Sequence, residues 1–356
     1  MMRGMEAYNA ARVCSESAMK KGIFAAIAVS FGYLLLCPRE AAEAARSGLL
    51  LWYHSVIPVL LPFMLLCNLF LRCAGDGGLR GAPAAPLGRL FGCSAAGGFA
   101  VFAGFLCGFP MGAKVTSDLL HAGRIDRRES RHLYGFVNNL SPGFILSYLS
   151  VEQMGTPQLR FAFLATILGS AMLYGIVTSP DLRRVGRGRR SRTGGRRPFR
   201  SAAAGEIAHG ASGSASGPKS AGQTAMPFLA AVDESIYDAA LGSVRLGALI
   251  MAFCILADAA LRFLPVEQAP VLFGVACIEV TNGIRLIASS ALPFELKYVL
   301  VNALGAFGGV SALAQTAGIA GFDAQDFLQY IKSRAIITLL SVLLSVFTIW
   351  ITSRLC

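Results

Sequence analysis

The chain has 356 residues, 54% hydrophobic and only 15% charged, with a formal net charge of +12. Its mean hydropathy is +0.58, whereas soluble domains carry about a quarter charged residues. This composition excludes an ordinary soluble globular protein and points to an all-α polytopic membrane protein. The nine cysteines form no CxxC pair, so a disulfide scaffold, a thioredoxin-type motif and a structural zinc site lack support. There is no HExxH and no GxxxxGK[ST], so neither a metallohydrolase nor direct use of ATP is expected, and no cofactor is implied. The apolar stretches hold no Ser/His/Asp set and no paired aspartates, so an enzyme is not expected.

In chain order, residues 1–47 form an N-terminal segment with a first apolar stretch at 22–37, preceded by Lys20 and Lys21. A membrane helix and a cleaved signal peptide are both compatible with it. Residues 48–180 form a first repeat, with apolar stretches at 48–71, 95–115, 132–150 and 159–178. Residues 181–225 form a linker rich in Gly, Ser and Ala. Residues 179–225 hold ten Lys or Arg against Asp181 and Glu206, a local balance of +8. A disordered cytoplasmic loop near anionic lipid is the common meaning of such a run in a membrane protein, and a nucleic-acid tail the rarer one. Residues 226–352 form a second repeat. Met226–Leu241 reads as an amphipathic surface segment, and apolar stretches follow at 243–264, 271–290, 299–320 and 335–352.

Two stretches are unsuited to plain spanning helices, which need about 20 apolar residues. Gly97–Lys114 contains five glycines, Pro110 and a terminal lysine; Val271–Ser290 carries Glu279, Asn282 and Arg285. Both are expected to be re-entrant hairpins, because irregular backbone at membrane depth persists only where protein or a water-filled cavity satisfies it. Treating 95–115 as re-entrant places Arg72, Arg80, Arg89, the Arg124–Arg131 cluster and the linker all on the cytoplasmic side.

The halves share an order of features. Gly112 and Lys114 in GFPMGAK (Gly108–Lys114) match Gly283 and Arg285 in EVTNGIR (Glu279–Arg285), and 26 residues beyond each glycine come Asn138 and Gly309. The predicted topology gives the halves opposite orientation. Inverted repeats with interrupted helices are a mark of secondary transporters.

Intramembrane cations are costly. Lys114 and Arg285 read either as partners for an anionic substrate or as side chains snorkelling to the interface, and Arg285 also as a partner for Glu279. Glu279 and Asn282 share a helical face; a buried carboxylate there carries a proton, ligates Na⁺ or is simply a hydrogen-bonded structural acid. Asn138, Asn139 and Ser141, and their counterparts Ser311 and Gln315, offer amide and hydroxyl groups to a substrate, to Na⁺ or to neighbouring helices. Gly108, Pro110, Gly112 and Gly283 are the expected hairpin hinges. Asp118 reads as the polar start of a cytoplasmic helix, and His54, His121 and His132 are too scattered for a metal site.

The block GFLCGFPMGAKVTSDLLHAGRIDRRESRHLYGFVNNLSPGF (Gly104–Phe144) resembles the YlbJ/SpoVV sporulation integral membrane protein family, in the nucleoside-recognition or Gate domain group. Glu279-Val-Thr-Asn-Gly, Gly308–Gln315 and Ser55–Phe63 fit the same family, and the resemblance covers about 48–180 and 226–352. It implies a repeat plan similar to concentrative nucleoside transporters. It also implies movement of dipicolinic acid across the outer forespore membrane during spore formation. Dipicolinate is a small aromatic dianion, which suits Lys114 and Arg285. The expected protein is therefore an integral protein of a bacterial cell membrane that moves a small-molecule anion, coupled to Na⁺ or H⁺, in the lipid bilayer and as a homo-oligomer. A nucleoside or nucleobase carrier and a non-transporting spore-membrane scaffold are the alternatives.

Overall fold

The computed structural model describes residues 24–73 except 26 and 29, 84–179, 228–265 and 268–355. The N-terminal lysines, Arg80 and the basic linker lie outside the described residues. Every described secondary-structure element is helical.

The elements are α1 (Pro38–Leu51), which continues through a π-helical turn (Trp52–Val56) into α2 (Ile57–Cys73); α3 (Ala84–Leu90); α4 (Ala95–Cys107); α5 (Met111–His121); α6 (Arg127–Phe136); α7 (Pro142–Phe144), continuing as a π-helix (Ile145–Gln153); and α8 (Arg160–Val177). The second half contains α9 (Phe228–Phe263), α10 (Ala269–Ala276), α11 (Val280–Ser289), α12 (Phe294–Phe307), α13 (Gly309–Ala320) and α14 (Ala324–Leu355).

Among the described residues, four stretches are long and apolar enough to cross a membrane: Pro157–Val177, Phe228–Phe263, Phe294–Ala320 and Ala324–Ile351. The pair α3 and α4 would add a fifth, bent by 97°. An all-helical polytopic membrane protein follows. One expectation changes. Met226–Leu241 is not a separate surface segment; from Phe228 it belongs to the 36-residue helix α9, in which Ser235 and Asp238 are buried. Arg72 at the end of α2 pairs with Glu234 and with Asp238 (2.5 Å), which gives the polar face of this stretch a partner inside the fold.

The chain breaks where local chemistry ends a helix. Gly108 stops α4 at φ +80°, a conformation that favours glycine, and the Phe109–Pro110 peptide bond that follows is cis. Ser141 caps α7, accepting from the Phe144 amide at 3.2 Å, and Pro142 takes the first helical position. Glu279 caps α11 through the Thr281 and Asn282 amides at 3.1 and 2.8 Å. Gly308 ends α12 at φ +88°. The order helix, break, helix, helix, break, helix, long helix therefore occurs in both halves, at positions 108–110 and 137–141 and again at 277–279 and 308.

The halves interlock. One apolar core joins α2–α6 to Ala239, Leu246, Ile250 and Cys254 of α9. A second joins α7 and α8 to α10–α12. Close packing of α5 depends on Gly112, where a Cβ would lie 2.3 Å from the Val137 carbonyl oxygen. Gly283 plays the same part in α11, with a Cβ 2.2 Å from the Ala276 oxygen.

Candidate functional site

The breaks within each half are joined through the backbone. In the first half the Phe109 amide donates to the Asn139 carbonyl at 2.8 Å. In the second, the Val310 and Ser311 amides donate to the Cys277 and Ile278 carbonyls at 2.7 and 3.1 Å. The breaks also meet across the halves, since the Phe109 ring lies against Gly308, within 2.5 Å of where a Cβ would stand. Unwound backbone is thus satisfied by the opposite break, as a low-dielectric interior requires.

A cavity of about 290 Å³ opens where the breaks converge. Its polar lining includes Ser141, Glu279, Thr281, Ser311 and Gln315, and Phe109, Phe144 and Tyr148 provide aromatic surface. The first turns of α7, α11 and α13 all contribute to the wall. Helix N-termini carry partial positive charge, so three of them favour negative charge at one place, while the Glu279 carboxylate offsets part of that field. Tyr148 donates to the Thr281 carbonyl at 3.2 Å and holds α7 against α11. The Gln315 amide donates to Ser311 Oγ at 3.0 Å.

Two further cavities flank this one. The first, about 470 Å³, is lined by Pro110, Lys114, Asp118, Asp238, Arg245 and Gln315 among others. The second, about 500 Å³, includes Glu40, Asp258, Arg262, Glu279, Asn282 and Arg285. Gln315 lines both the central cavity and the first flank, and Glu279 both the central cavity and the second. The first break of each half therefore stands between the central cavity and one flank: Phe109 and Pro110 on one side, Glu279 on the other.

The nine expected substrate contacts separate accordingly. Ser141, Glu279, Ser311 and Gln315 line the central cavity. Lys114 lines the first flank, where its ammonium donates to Asp118 Oδ2 and Asn68 Oδ1, each at 2.8 Å. Asp118 is thereby a buried ion-pair partner, not the polar start of a surface helix. Asn282 and Arg285 line the second flank; Asn282 donates to Cys254 Sγ at 2.9 Å, and Glu279 caps α11 in place of pairing with Arg285. Asn138 and Asn139 are fully occupied with the protein. Asn138 accepts from the Ala113 amide at 3.2 Å and donates to Thr316, and Asn139 donates to the Phe136 carbonyl at 2.8 Å. Of the hinge residues, Gly108 and Pro110 form the first break, while Gly112 and Gly283 are close-packing positions within the first turns of α5 and α11.

Sequence reasoning missed Arg334. It is completely buried in α14 and donates to Asn139 Oδ1 and to the Ala306 carbonyl, both at 3.3 Å. Its guanidinium lies over the Phe109 and Tyr330 rings, 5.9 and 5.4 Å from their centroids. It pins the second break of each half to the Phe109–Pro110 break. The signal was an arginine one residue before an apolar stretch whose helix continues through it. Among the described residues no group of three or more His, Cys, Asp and Glu is placed to hold a metal ion.

The sporulation integral membrane protein YlbJ of Bacillus subtilis (strain 168) is 36% identical to this chain over 117 residues. The match takes in 32% of this chain and 28% of that protein, so the chain spans well under a third of its relative in the alignment. No family model matches, and no solved structure matches. The apolar helices and this relative together describe an integral membrane protein, similar over part of its length to a sporulation membrane protein.

Proposed function

We propose that this protein is a secondary transporter that moves a small organic anion by alternating access, with dipicolinate as the first substrate to test. The observation that carries this reading is the central cavity at which the chain breaks of both halves meet and three helix N-termini converge. Both hairpins are re-entrant, and the halves have inverted orientation with a repeat plan like that of concentrative nucleoside transporters. Each tip closes one flank of the cavity. Movement of the Phe109–Pro110 tip opens the Lys114 side, and movement of the Glu279 tip opens the Arg285 side. Glu279 touches two cavities and is the residue assigned to the coupling ion, H⁺ or Na⁺. The sporulation name of the partial relative supports a place in the outer forespore membrane, with the basic linker in the cytoplasm.

A nucleoside or nucleobase carrier is the second reading. It is favoured by the aromatic surface of Phe109, Phe144 and Tyr148 beside the neutral hydroxyl and amide groups of Ser141, Ser311 and Gln315. Binding of radiolabelled dipicolinate to the purified full chain in nanodiscs, with uridine as competitor, decides between them. The expected result is saturable binding that uridine leaves unchanged and that Ser311→Val weakens. Binding of uridine alone transfers the site to the nucleoside reading. Binding of neither ligand by folded protein overturns the transporter and leaves a membrane scaffold.

A further inference from the structure

We infer that the flanking cavity beside Lys114 is a second anion-binding station, in which Arg245 and Lys114 together take a carboxylate on its way to or from the central cavity. This inference rests on the transport reading and adds a residue, Arg245, and a place on the substrate's path.

The cavity holds about 470 Å³ between α2, α5, α9 and α13, larger than the central one, and it shares Gln315 and Leu246 with that cavity. Its charged lining is Lys114, Asp118, Asp238 and Arg245. Three of these charges are already matched. Asp118 holds Lys114 at 2.8 Å, and Asp238 is held by Arg72 at 2.5 Å. Arg245 lies in the apolar helix α9 and has no ion-pair partner among the described residues, so within a lining of two cations and two carboxylates it is the charge left unmatched. Lys114 is itself only 8% exposed, and Asp118 and Asn68 take two of its three ammonium donors. The third remains for a ligand.

An arginine in a membrane-spanning helix is costly unless it meets protein charge, lipid headgroups or a polar ligand. Here its exposed side chain lines the same cavity as the buried Lys114 ammonium. A planar guanidinium binds a carboxylate through two parallel hydrogen bonds, and an ammonium adds a point charge. The pairing therefore selects organic carboxylates over neutral molecules. The Asp118 and Asp238 carboxylates balance the two cations of the lining and keep the anion releasable, as a transport intermediate requires. Gln315, between the two cavities, offers a neutral amide along which the ligand passes to the Ser311 side.

The test uses full-length protein lacking its native cysteines, in proteoliposomes, with one cysteine at Ala248 in the flank or at Ser147 in the central cavity. Thiol modification is compared for an anionic and a cationic methanethiosulfonate reagent, which requires no knowledge of the substrate. Ala248→Cys is expected to react faster with the anionic reagent. Adding Arg245→Gln lowers that preference roughly tenfold, as expected for removal of a unit charge a few ångströms away at intermediate dielectric. Arg245→Lys restores most of it, and Ser147→Cys is unaffected by either change. An unchanged preference at position 248 after Arg245→Gln, with folding shown by the Ser147→Cys control, overturns the station. Dipicolinate protection of Ala248→Cys that disappears in Arg245→Gln supports it further. A charge preference that depends on Arg245 without dipicolinate protection supports the station and removes dipicolinate as its ligand.

Discussion

The two pairs of chain breaks adopt the same order of helices with different chemistry. In the first half, side chains reinforce the single backbone bond from Phe109 to Asn139. Asn138 bonds to Ala113 and Thr316, Asn139 bonds to Phe136 and receives Arg334, and Ser141 caps α7. In the second half, the backbone carries the joint. Val310 and Ser311 donate to Cys277 and Ile278, and glycines at 308 and 309 take positive φ in place of amide side chains. The difference shows that a polar residue at a matching repeat position need not share a task. Asn138 aligns with Gly309 in sequence, yet one is a scaffold group and the other only a bend. Because backbone supports the second joint, the side chains there (Glu279, Ser311 and Gln315) remain directed at the cavity.

This contrast can be broken in four ways, in order of decreasing effect. The close-packing glycines come first, because a Cβ at either position meets a backbone oxygen that cannot rotate away. Gly112→Ala and Gly283→Ala are each expected to cost about 3 kcal/mol, the upper end for overpacking a core, and to lower the thermal unfolding midpoint in detergent by similar amounts. A large loss for one alone would mean that only one hairpin needs close contact.

The amide scaffold comes next. Asn138→Leu strands the Ala113 amide and removes one of the partners of Thr316, which is expected to cost about 1–3 kcal/mol. Gly309→Asn, its counterpart, places an amide where none is needed and is not expected to gain stability. Recovery of stability there would show that the second joint also accepts side-chain support.

Third, Glu279→Ala removes a helix cap, for an expected loss of about 1 kcal/mol. Glu279→Gln keeps an acceptor for the cap and should unfold within a few degrees of the parent. Ligand binding and its dependence on Na⁺ or pH should nevertheless change. Unaltered coupling in Glu279→Gln would return the residue to a purely structural role.

The smallest effect is expected outside the breaks. Arg127 joins the α5–α6 turn to Asp323 and Asp326 at 3.0 and 2.8 Å, but its side chain is 60% exposed. Arg127→Gln should lower the unfolding midpoint only slightly at low salt and less as salt is added, since exposed ion pairs are screened. A loss that persists at high salt would indicate that this pair latches the two halves.

Much of the candidate site was legible because its signals are local. Gly108, Pro110 and the Asn138–Pro142 run disturb helical backbone wherever they occur, whereas Glu279, read as sharing a helical face with Asn282, proves to be the cap that starts α11. Ser141, Glu279, Ser311 and Gln315 reach the central cavity, whereas Lys114 and Arg285 lie on opposite flanks. Their similar spacing from the matching glycines gave no indication that Asp118 would engage one and leave the other exposed to a different cavity. Arg245 lies inside the apolar stretch 243–264, and its charge was given no task.

The sequence by itself determined that the protein is helical, built for a membrane and divided into two similarly ordered halves. Hydropathy, glycine, proline and capping residues act on the few residues around them, so one chain is enough to read them. Only the tertiary structure decided which polar groups remain free. Asn138 finds Thr316 at a separation of 178 residues, and Arg334 finds Asn139 at 195. Whether a buried amide or cation serves the fold or faces a cavity depends on partners that distant, because its hydrogen bonds must be met by whatever the completed packing places beside it.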